Sequence, residues 1–116
     1  MKKILIYLLI IGIVSLNAGS YDKEIEECNL GNAQQCYALA LHYLFSPFDK
    51  NYTKGLHYYK KACTNNHMFS CTYLGFIYEK GKILKQDFNK AKQYYKKACE
   101  GGESNGCEYY TMLEKR

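Results

Sequence analysis

Apolar and small residues recur along this chain with the period of amphipathic helices. The clearest stretch runs from Leu74 through Gly75 to Tyr78, is interrupted at Gly81 and resumes after Asp87. Glycine commonly ends a helix and aspartate commonly caps the next one, so the stretch predicts a helix, a turn and a second helix. The second helix places its apolar and small residues on one face: Phe88, Ala91, Tyr95 and Ala98.

The pattern occurs twice, and an identical hexapeptide marks both copies. Tyr-Tyr-Lys-Lys-Ala-Cys occupies 58–63 and again 94–99. Superposing the two copies arranges the six cysteines in pairs eight positions apart, and the pairs begin 35 and 36 residues apart. Periods of this length are typical of helical-hairpin solenoids. The pairs are Cys28 with Cys36, Cys63 with Cys71, and Cys99 with Cys107.

The first copy and the chain ends vary this pattern. Asn51 takes the cap position in the first copy, where Gly55 is a weak point unless close packing requires it, because glycine costs about 1 kcal/mol relative to alanine inside a helix. The segments before Cys28 and after Cys107 replace core positions by charged residues, as the caps of a solenoid do. We predict six short helices, two hairpins between two lone capping helices, in an all-α, right-handed solenoid of antiparallel helix pairs.

Residues 1–18 have the pattern of a secretory signal peptide. Two lysines precede an apolar run at 4–14, and small residues follow. The run is shorter than the about 20 residues that span a bilayer, although an uncleaved anchor is the alternative. We expect cleavage after Ala18, or else after Ser20, which leaves 19–116 as a single repeat domain without a membrane span, exported to the periplasm or secreted.

Charge and cysteine content narrow the class of protein. The chain has 16 basic and 11 acidic side chains, and removal of the two leader lysines leaves a net charge near +3. So small an excess does not indicate nucleic-acid binding. Six cysteines in an exported chain of this size indicate a disulfide framework, which a small core needs for stability.

The order of these residues resembles the Sel-one-like repeat, a relative of the tetratricopeptide repeat. The resemblance rests on Leu74-Gly75, Ile77-Tyr78, Gly81, Asp87-Phe88, Lys90-Ala91, Tyr95 and Lys97-Ala98. Cysteines eight apart in place of the usual small residues look like the Helicobacter cysteine-rich protein family of secreted repeat proteins. That resemblance implies a tetratricopeptide-like solenoid. It also implies a possible activity, the weak hydrolysis of penicillins and cephalosporins that is usually assigned to the family.

The cysteine spacing favours one set of disulfides. Six cysteines allow 15 pairings, and only the eight-apart pairing repeats along the chain. Antiparallel helices joined by a short turn can bring two Cα atoms within the roughly 4.4 to 6.8 Å that a disulfide needs. The alternatives are a thiolate metal site, whose ligands usually lie two to four residues apart, and redox catalysis, which favours Cys-x-x-Cys. We therefore expect three disulfides, no metal and no cofactor.

Few residues are candidates for acyl-transfer chemistry. The segment Ser20-Tyr21-Asp22-Lys23 matches Ser-x-x-Lys, but it adjoins the cleavage point and lacks the companion motifs Ser-Asp-Asn and Lys-Thr-Gly. His42 and Ser46 are four apart on a predicted helix and could touch, although a helix-end serine beside a surface or groove histidine is favoured. His57 and His67 are isolated, and we expect both at the surface. The catalytic residues of any hydrolase activity are therefore unknown.

The thirteen tyrosines divide by position. Four occupy apolar repeat positions and are predicted to be core residues: Tyr43, Tyr59, Tyr78 and Tyr95. Three lie off that stripe, on the helices that line the concave surface in this repeat class: Tyr37, Tyr73 and Tyr109. Amphipathic rings there suit a binding surface, and the alternative is that they are ordinary exposed tyrosines.

Charge is distributed unevenly along the predicted rod. Six lysines near the second hairpin lie opposite an acidic N-terminal segment: Lys82, Lys85, Lys90, Lys92, Lys96 and Lys97 against Asp22, Glu24, Glu26 and Glu27. We expect a solvated face, with binding of anionic envelope polymers as an alternative. The predicted function is a scaffold with a shallow groove for a peptide, an envelope protein or a cell-wall fragment. The alternative, implied by the resemblance alone, is a β-lactamase that binds β-lactams.

Overall fold

The computed structural model describes residues 20–116, and this part of the chain is all-helical. The predicted solenoid of two hairpins between two capping helices is confirmed. None of the described helices is long and apolar enough to cross a bilayer. The predicted signal peptide lies outside the described residues. The helices are α1 (Asp22–Asn29), α2 (Ala33–Phe45), α3 (Tyr52–Thr64), α4 (Met68–Lys80), α5 (Phe88–Glu100) and α6 (Ser104–Glu114).

Each helix packs against its neighbours in sequence. The two hairpins are α2 with α3 and α4 with α5, and the contact between α3 and α4 joins them. Helix α1 covers the free side of α2, and α6 covers the free side of α5. The four tyrosines predicted for the core are all buried, with Tyr59 and Tyr95 fully inaccessible. The buried residues form two clusters, a larger one that extends from α1 to α5 and a smaller one that contains Tyr78 and Tyr95.

Polar caps and a left-handed glycine set the boundaries of the hairpins. The side chains of Asn51 and Asp87 accept hydrogen bonds from backbone N–H groups in the first turns of α3 and α5, each at 3.0 Å. Gly81 ends α4 with a φ of 70°, a conformation that glycine adopts without strain. The predicted caps are confirmed.

The three predicted disulfides are present, one at each turn between consecutive units. They join Cys28 to Cys36, Cys63 to Cys71, and Cys99 to Cys107, with Cα atoms 4.5 to 4.8 Å apart. At the turns the backbone takes a left-handed conformation, at Asn66 in the central turn and at glycine in the outer two. The first two disulfides are buried, whereas both cysteines of the third are partly exposed.

Close packing between helices explains the glycines inside them. A Cβ atom at Gly55 would lie 2.6 Å from the Cγ of Leu44. A Cβ atom at Gly75 would lie 2.5 Å from the ring of Tyr95. Neither distance is compatible with normal contact, so both glycines allow a partner side chain to approach the helix backbone. The predicted weak point at Gly55 is therefore a packing requirement.

The first tyrosine of each hexapeptide also packs inside the fold, which the sequence pattern did not indicate. Tyr58 stacks on Tyr43 and Tyr94 stacks on Tyr78, with ring centroids 5.8 Å apart in both cases. A lysine ammonium covers the other ring of each pair, Lys54 over Tyr43 at 5.2 Å and Lys90 over Tyr78 at 5.3 Å. The hexapeptide thus contributes one stacked aromatic pair of this kind to each hairpin.

Candidate functional site

A cleft of about 490 Å³ opens between the start of α3 and the end of α4. We call it the α3–α4 cleft. Its volume falls within the range of small-ligand sites, and three other clefts on the described residues are smaller, at 260 to 360 Å³. The residues that line it are Tyr52, Tyr73, Phe76, Ile77, Lys80, Lys82 and Ile83.

The packing of the first hairpin against the second places these residues together. Helices α3 and α4 are joined by a short turn that the Cys63–Cys71 disulfide closes, so the first residue of α3, Tyr52, faces the last turns of α4. Tyr73, Phe76 and Lys80 follow one another at spacings of three and four, which puts them on one face of α4. Lys82 and Ile83, from the loop that follows, complete the wall.

Aromatic rings form the apolar part of the cleft. Tyr73 is half-buried and stacks on the fully buried Tyr59, with ring centroids 5.0 Å apart and planes 18° apart. Phe76 packs beside Tyr73 at 6.1 Å and remains 41% exposed, and Tyr52 is 46% exposed. Burial raises the pKa of Tyr73, so its hydroxyl is a hydrogen-bond donor at neutral pH. The cleft therefore offers two accessible rings beside a fixed phenol.

Lysines surround these rings. The Lys80 ammonium lies 5.2 Å from the centre of the Phe76 ring, and the Lys50 ammonium lies 5.8 Å from the centre of the Tyr52 ring. Lys82 is exposed at the edge of the cleft. Cation–π contacts of this kind hold an ammonium group near a ring. Since no carboxylate is among the lining residues, the rim of the cleft is positively charged.

Of the three tyrosines predicted to bind, the structure places Tyr73 in this cleft. Tyr37 stacks instead on His67 at 4.5 Å, and Tyr109 packs on Tyr95 at 5.3 Å. Tyr73 and Tyr109 occupy the same repeat position, whereas that position in the first unit is Ala38. All three are partly buried, and their role in binding stays a prediction.

The structure corrects the prediction that His67 is an isolated surface residue. Its ring is half-buried beneath Tyr37, and its Nδ1 lies 2.7 Å from the hydroxyl of the fully buried Ser70. Burial lowers the pKa of His67, which favours the neutral ring. His57, by contrast, is exposed as predicted. His67 therefore belongs to the packing between α2 and α4.

The possible contact between the side chains of His42 and Ser46 does not form. His42 is hydrogen-bonded through Nδ1 to the hydroxyl of Tyr21 at 3.1 Å and through Nε2 to Asp49 at 3.3 Å. The Ser46 hydroxyl instead accepts hydrogen bonds from the backbone N–H groups of Phe48 and Asp49. His42 thus ties the N-terminal segment to the α2–α3 loop.

The Ser-x-x-Lys match is exposed at the start of α1, where the Ser20 hydroxyl donates to Asp22 at 2.7 Å. Residues 20–116 contain no cluster of three or more histidines, cysteines and carboxylates that could hold a metal ion. Their six cysteines are all in disulfides. The residues that line the α3–α4 cleft are, by contrast, aromatic, aliphatic and basic.

Most of the cleft residues were not predicted from the sequence. Phe76 lies off the apolar stripe of α4. It follows Tyr73 by three residues and therefore lies on the same face, so helical spacing alone could have identified it. Tyr52 and Ile83 belong to different repeat units, and they line one cleft because the hairpins pack side by side.

Comparisons with known proteins agree with this architecture. The Sel1 repeat family model matches residues 36–67 and 69–103, more than half of the chain, and each match covers one hairpin. The crystal structure of a Sel1 repeat protein from Oxalobacter formigenes superposes with a TM-score of 0.69 at 22% identity, covering 78% of this chain. The superposition spans 36% of that protein's chain, about a third, and at this identity it establishes the fold alone. No curated protein matches this chain significantly in sequence.

Proposed function

This chain belongs to the Sel1 repeat family, and from that premise we propose that it is an exported scaffold that binds a peptide or protein partner in the α3–α4 cleft. Sel1 repeats are helical scaffolds that usually serve protein–protein interaction, and solenoids of this kind present extended surfaces for it. The observation that carries the proposal is the presence of two accessible aromatic rings in one cleft, Tyr52 and Phe76. Aromatic residues are enriched among those that dominate binding energy.

The rigidity of the cleft also supports binding. The Cys63–Cys71 disulfide and the stack of Tyr73 on Tyr59 fix α3 and α4 relative to each other. A wall that is ordered before binding loses less conformational entropy when a partner arrives. Within the proposal Tyr73 lies at the centre of the site, and Tyr37 and Tyr109 are flanking candidates with smaller contributions. A half-open cleft of this size suits a peptide segment, an envelope protein or a cell-wall fragment as its partner.

Three disulfides fit an oxidising compartment outside the cytosol. We add to the proposal that residues 1–18 are a signal peptide and that the mature protein is periplasmic or secreted. The cysteine register supports placement in the Helicobacter cysteine-rich protein family. The lining of the cleft contains no serine, cysteine, histidine or carboxylate, so its geometry gives no support to the β-lactam hydrolase alternative.

Affinity capture from an envelope extract tests the proposed function. The oxidised mature protein serves as bait beside two alanine variants, Phe76→Ala in the cleft and Phe88→Ala on α5. Phe88 is a matched control because it is a similarly exposed phenylalanine, at 37% against 41%, and it does not line the cleft. We expect a specific partner to bind the native protein and Phe88→Ala alike.

Binding of that partner to Phe76→Ala should be about tenfold weaker or more, since central aromatic contacts contribute more than 1 kcal/mol. Titration calorimetry with the purified partner measures the difference. Equal affinity of all three proteins would show that the partner binds elsewhere.

A further inference from the structure

The lysines at the rim of the α3–α4 cleft have no acidic partners in the structure. Between residues 20 and 116 the ion pairs are His42 with Asp49 and Lys92 with Glu114, and neither includes a lysine of the cleft. The carboxylates nearby in sequence have other contacts, because Glu79 accepts a hydrogen bond from Tyr95 and Asp49 pairs with His42. The positive rim is therefore not neutralised from within the described chain.

This charge lies directly above apolar surface. Lys80 is held over the Phe76 ring and Lys50 over the Tyr52 ring, while Ile77 and Ile83 form apolar lining nearby. A ligand complementary to both features carries an anionic group a few ångströms from an apolar one. Carboxylate bound by several ammonium and hydroxyl donors satisfies the charge, and a ring placed between Tyr52 and Phe76 satisfies the apolar surface.

Resting on the proposed function, we propose that the α3–α4 cleft recognises an acidic peptide segment in which an aromatic residue adjoins an aspartate or a glutamate. The aromatic side chain packs against Phe76 and Tyr52. The carboxylate accepts hydrogen bonds from Lys80 and Lys82 and from the hydroxyl of Tyr73. Each half of the motif thus contributes to recognition, and full affinity needs both.

Between residues 20 and 116, the most exposed aromatic residue that adjoins a carboxylate lies in the α2–α3 loop. Phe48, in the α2–α3 loop, is 95% exposed and precedes Asp49. In a second copy this segment could compete for the cleft, but Asp49 already pairs with His42 at 3.3 Å. A segment of a separate protein, whose carboxylate is free, is therefore the occupant that the contacts favour.

Three blocked dipeptides test the inference by nuclear magnetic resonance titration of the ¹⁵N-labelled, oxidised protein. Acetyl-Phe-Asp-amide carries both groups, acetyl-Phe-Asn-amide replaces the carboxylate by a neutral amide of the same shape, and acetyl-Ala-Asp-amide lacks the ring. We expect the first to shift the backbone signals of Tyr73, Phe76 and Lys80 in a saturable manner. Each of the other two should bind about fivefold more weakly, as loss of roughly 1 kcal/mol implies.

Lysine variants separate charge recognition from packing. Because both side chains are exposed, Lys80→Gln combined with Lys82→Gln should leave the fold intact. It should lower the affinity for acetyl-Phe-Asp-amide to that for acetyl-Phe-Asn-amide, while Lys97→Gln, an exposed lysine outside the cleft, should change nothing. High salt should reduce the difference between the two peptides, because it screens exposed charges.

Four outcomes would overturn the inference. Equal binding of the aspartate and asparagine peptides in the cleft would remove charge recognition and leave the proposed function standing. Equal affinity for acetyl-Ala-Asp-amide and acetyl-Phe-Asp-amide would show that the cleft does not recognise the aromatic ring. Absence of shifts at Tyr73 and Phe76 with every peptide would reject this ligand class, even where a captured partner still depends on Phe76. Shifts of the same signals with protein concentration alone, abolished by Phe48→Ser, would show that a second copy fills the cleft.

Discussion

The two hairpins contain the same hexapeptide but give its second tyrosine different surroundings. The Tyr95 hydroxyl donates a hydrogen bond to Glu79 at 2.7 Å. The Tyr59 hydroxyl is buried and has no hydrogen-bond partner among the described residues. Leu44 occupies the position that is equivalent to Glu79 in the first hairpin, so no carboxylate is available there. The two equivalent tyrosines therefore contribute differently to stability, because the helix that faces each of them differs.

The position of the packing glycine also differs between the hairpins. In the first, Gly55 on α3 makes room for Leu44 of α2. In the second, Gly75 on α4 makes room for the ring of Tyr95 on α5. The side chain that approaches the backbone is a flexible leucine in one hairpin and a rigid aromatic ring in the other. The second hairpin thus depends more strongly on its glycine.

Loss of a disulfide should have the largest effect, and it should depend on which turn is opened. Replacing Cys63 and Cys71 by alanine opens the buried link between the hairpins and should lower the free energy of unfolding by about 2–5 kcal/mol. Replacing Cys99 and Cys107 frees only the capping helix α6 and should cost less. Urea denaturation of both double variants measures the difference. An equal or greater loss at the terminal turn would contradict the expected order.

The next largest difference between the hairpins should appear when a methyl group is added to each packing glycine. Gly75→Ala forces the Tyr95 ring to move and should destabilise the protein by about 1–3 kcal/mol, as overpacking does. Gly55→Ala should cost less because Leu44 can rotate, whereas the gain in helix propensity, up to about 1 kcal/mol, is common to both variants. Thermal unfolding of the two variants tests this. Equal costs would show that both neighbours are equally rigid.

Removing the two tyrosine hydroxyls should change stability less. The change should be unfavourable in the second hairpin and neutral or favourable in the first. Tyr95→Phe deletes a hydrogen bond to a carboxylate and should cost about 1–3 kcal/mol at most, reduced by the partial exposure of Glu79. Tyr59→Phe removes a buried hydroxyl that lacks a partner, so it should be neutral or stabilising. Chemical denaturation provides both values. A clear destabilisation by Tyr59→Phe would reveal a partner for that hydroxyl.

Acid should weaken the central turn more than the last one. Burial holds the pKa of His67 in the folded protein below its ordinary value of 6.5. The unfolded chain therefore binds the proton more readily, and the stability that the neutral ring contributes is full above pH 6.5 and decreases as pH falls through that value. The equivalent residue in the last turn is Glu103, which accepts a hydrogen bond from Thr72 at 2.7 Å.

Hydrogen exchange measured across this pH range should show a loss of protection in the first turn of α4. The His67→Gln variant should abolish that response, since glutamine does not titrate. If the variant keeps the response, another group is responsible for it.

The repeated units could be predicted from the sequence because they depend on local chemistry. Helical spacing and the caps at Asn51 and Asp87 act within one hairpin, and the eight-residue cysteine spacing acts across one short turn between units. The cleft and the role of His67 depend on contacts between units, which a repeat pattern does not encode. Tyr37 shows the same limit: aligned by register, it corresponds to Thr72 rather than to Tyr73, and its contacts differ accordingly.

The proposed function requires that a partner binds between the two hairpins, in the α3–α4 cleft. Hydrogen–deuterium exchange of the oxidised protein, with and without its captured partner, tests this location. Protection on binding should concentrate at residues 68–84 and at the first turn of α3, and α1 and α6 should be unchanged. Protection confined to α1 or α6, with the cleft unaffected, would contradict it.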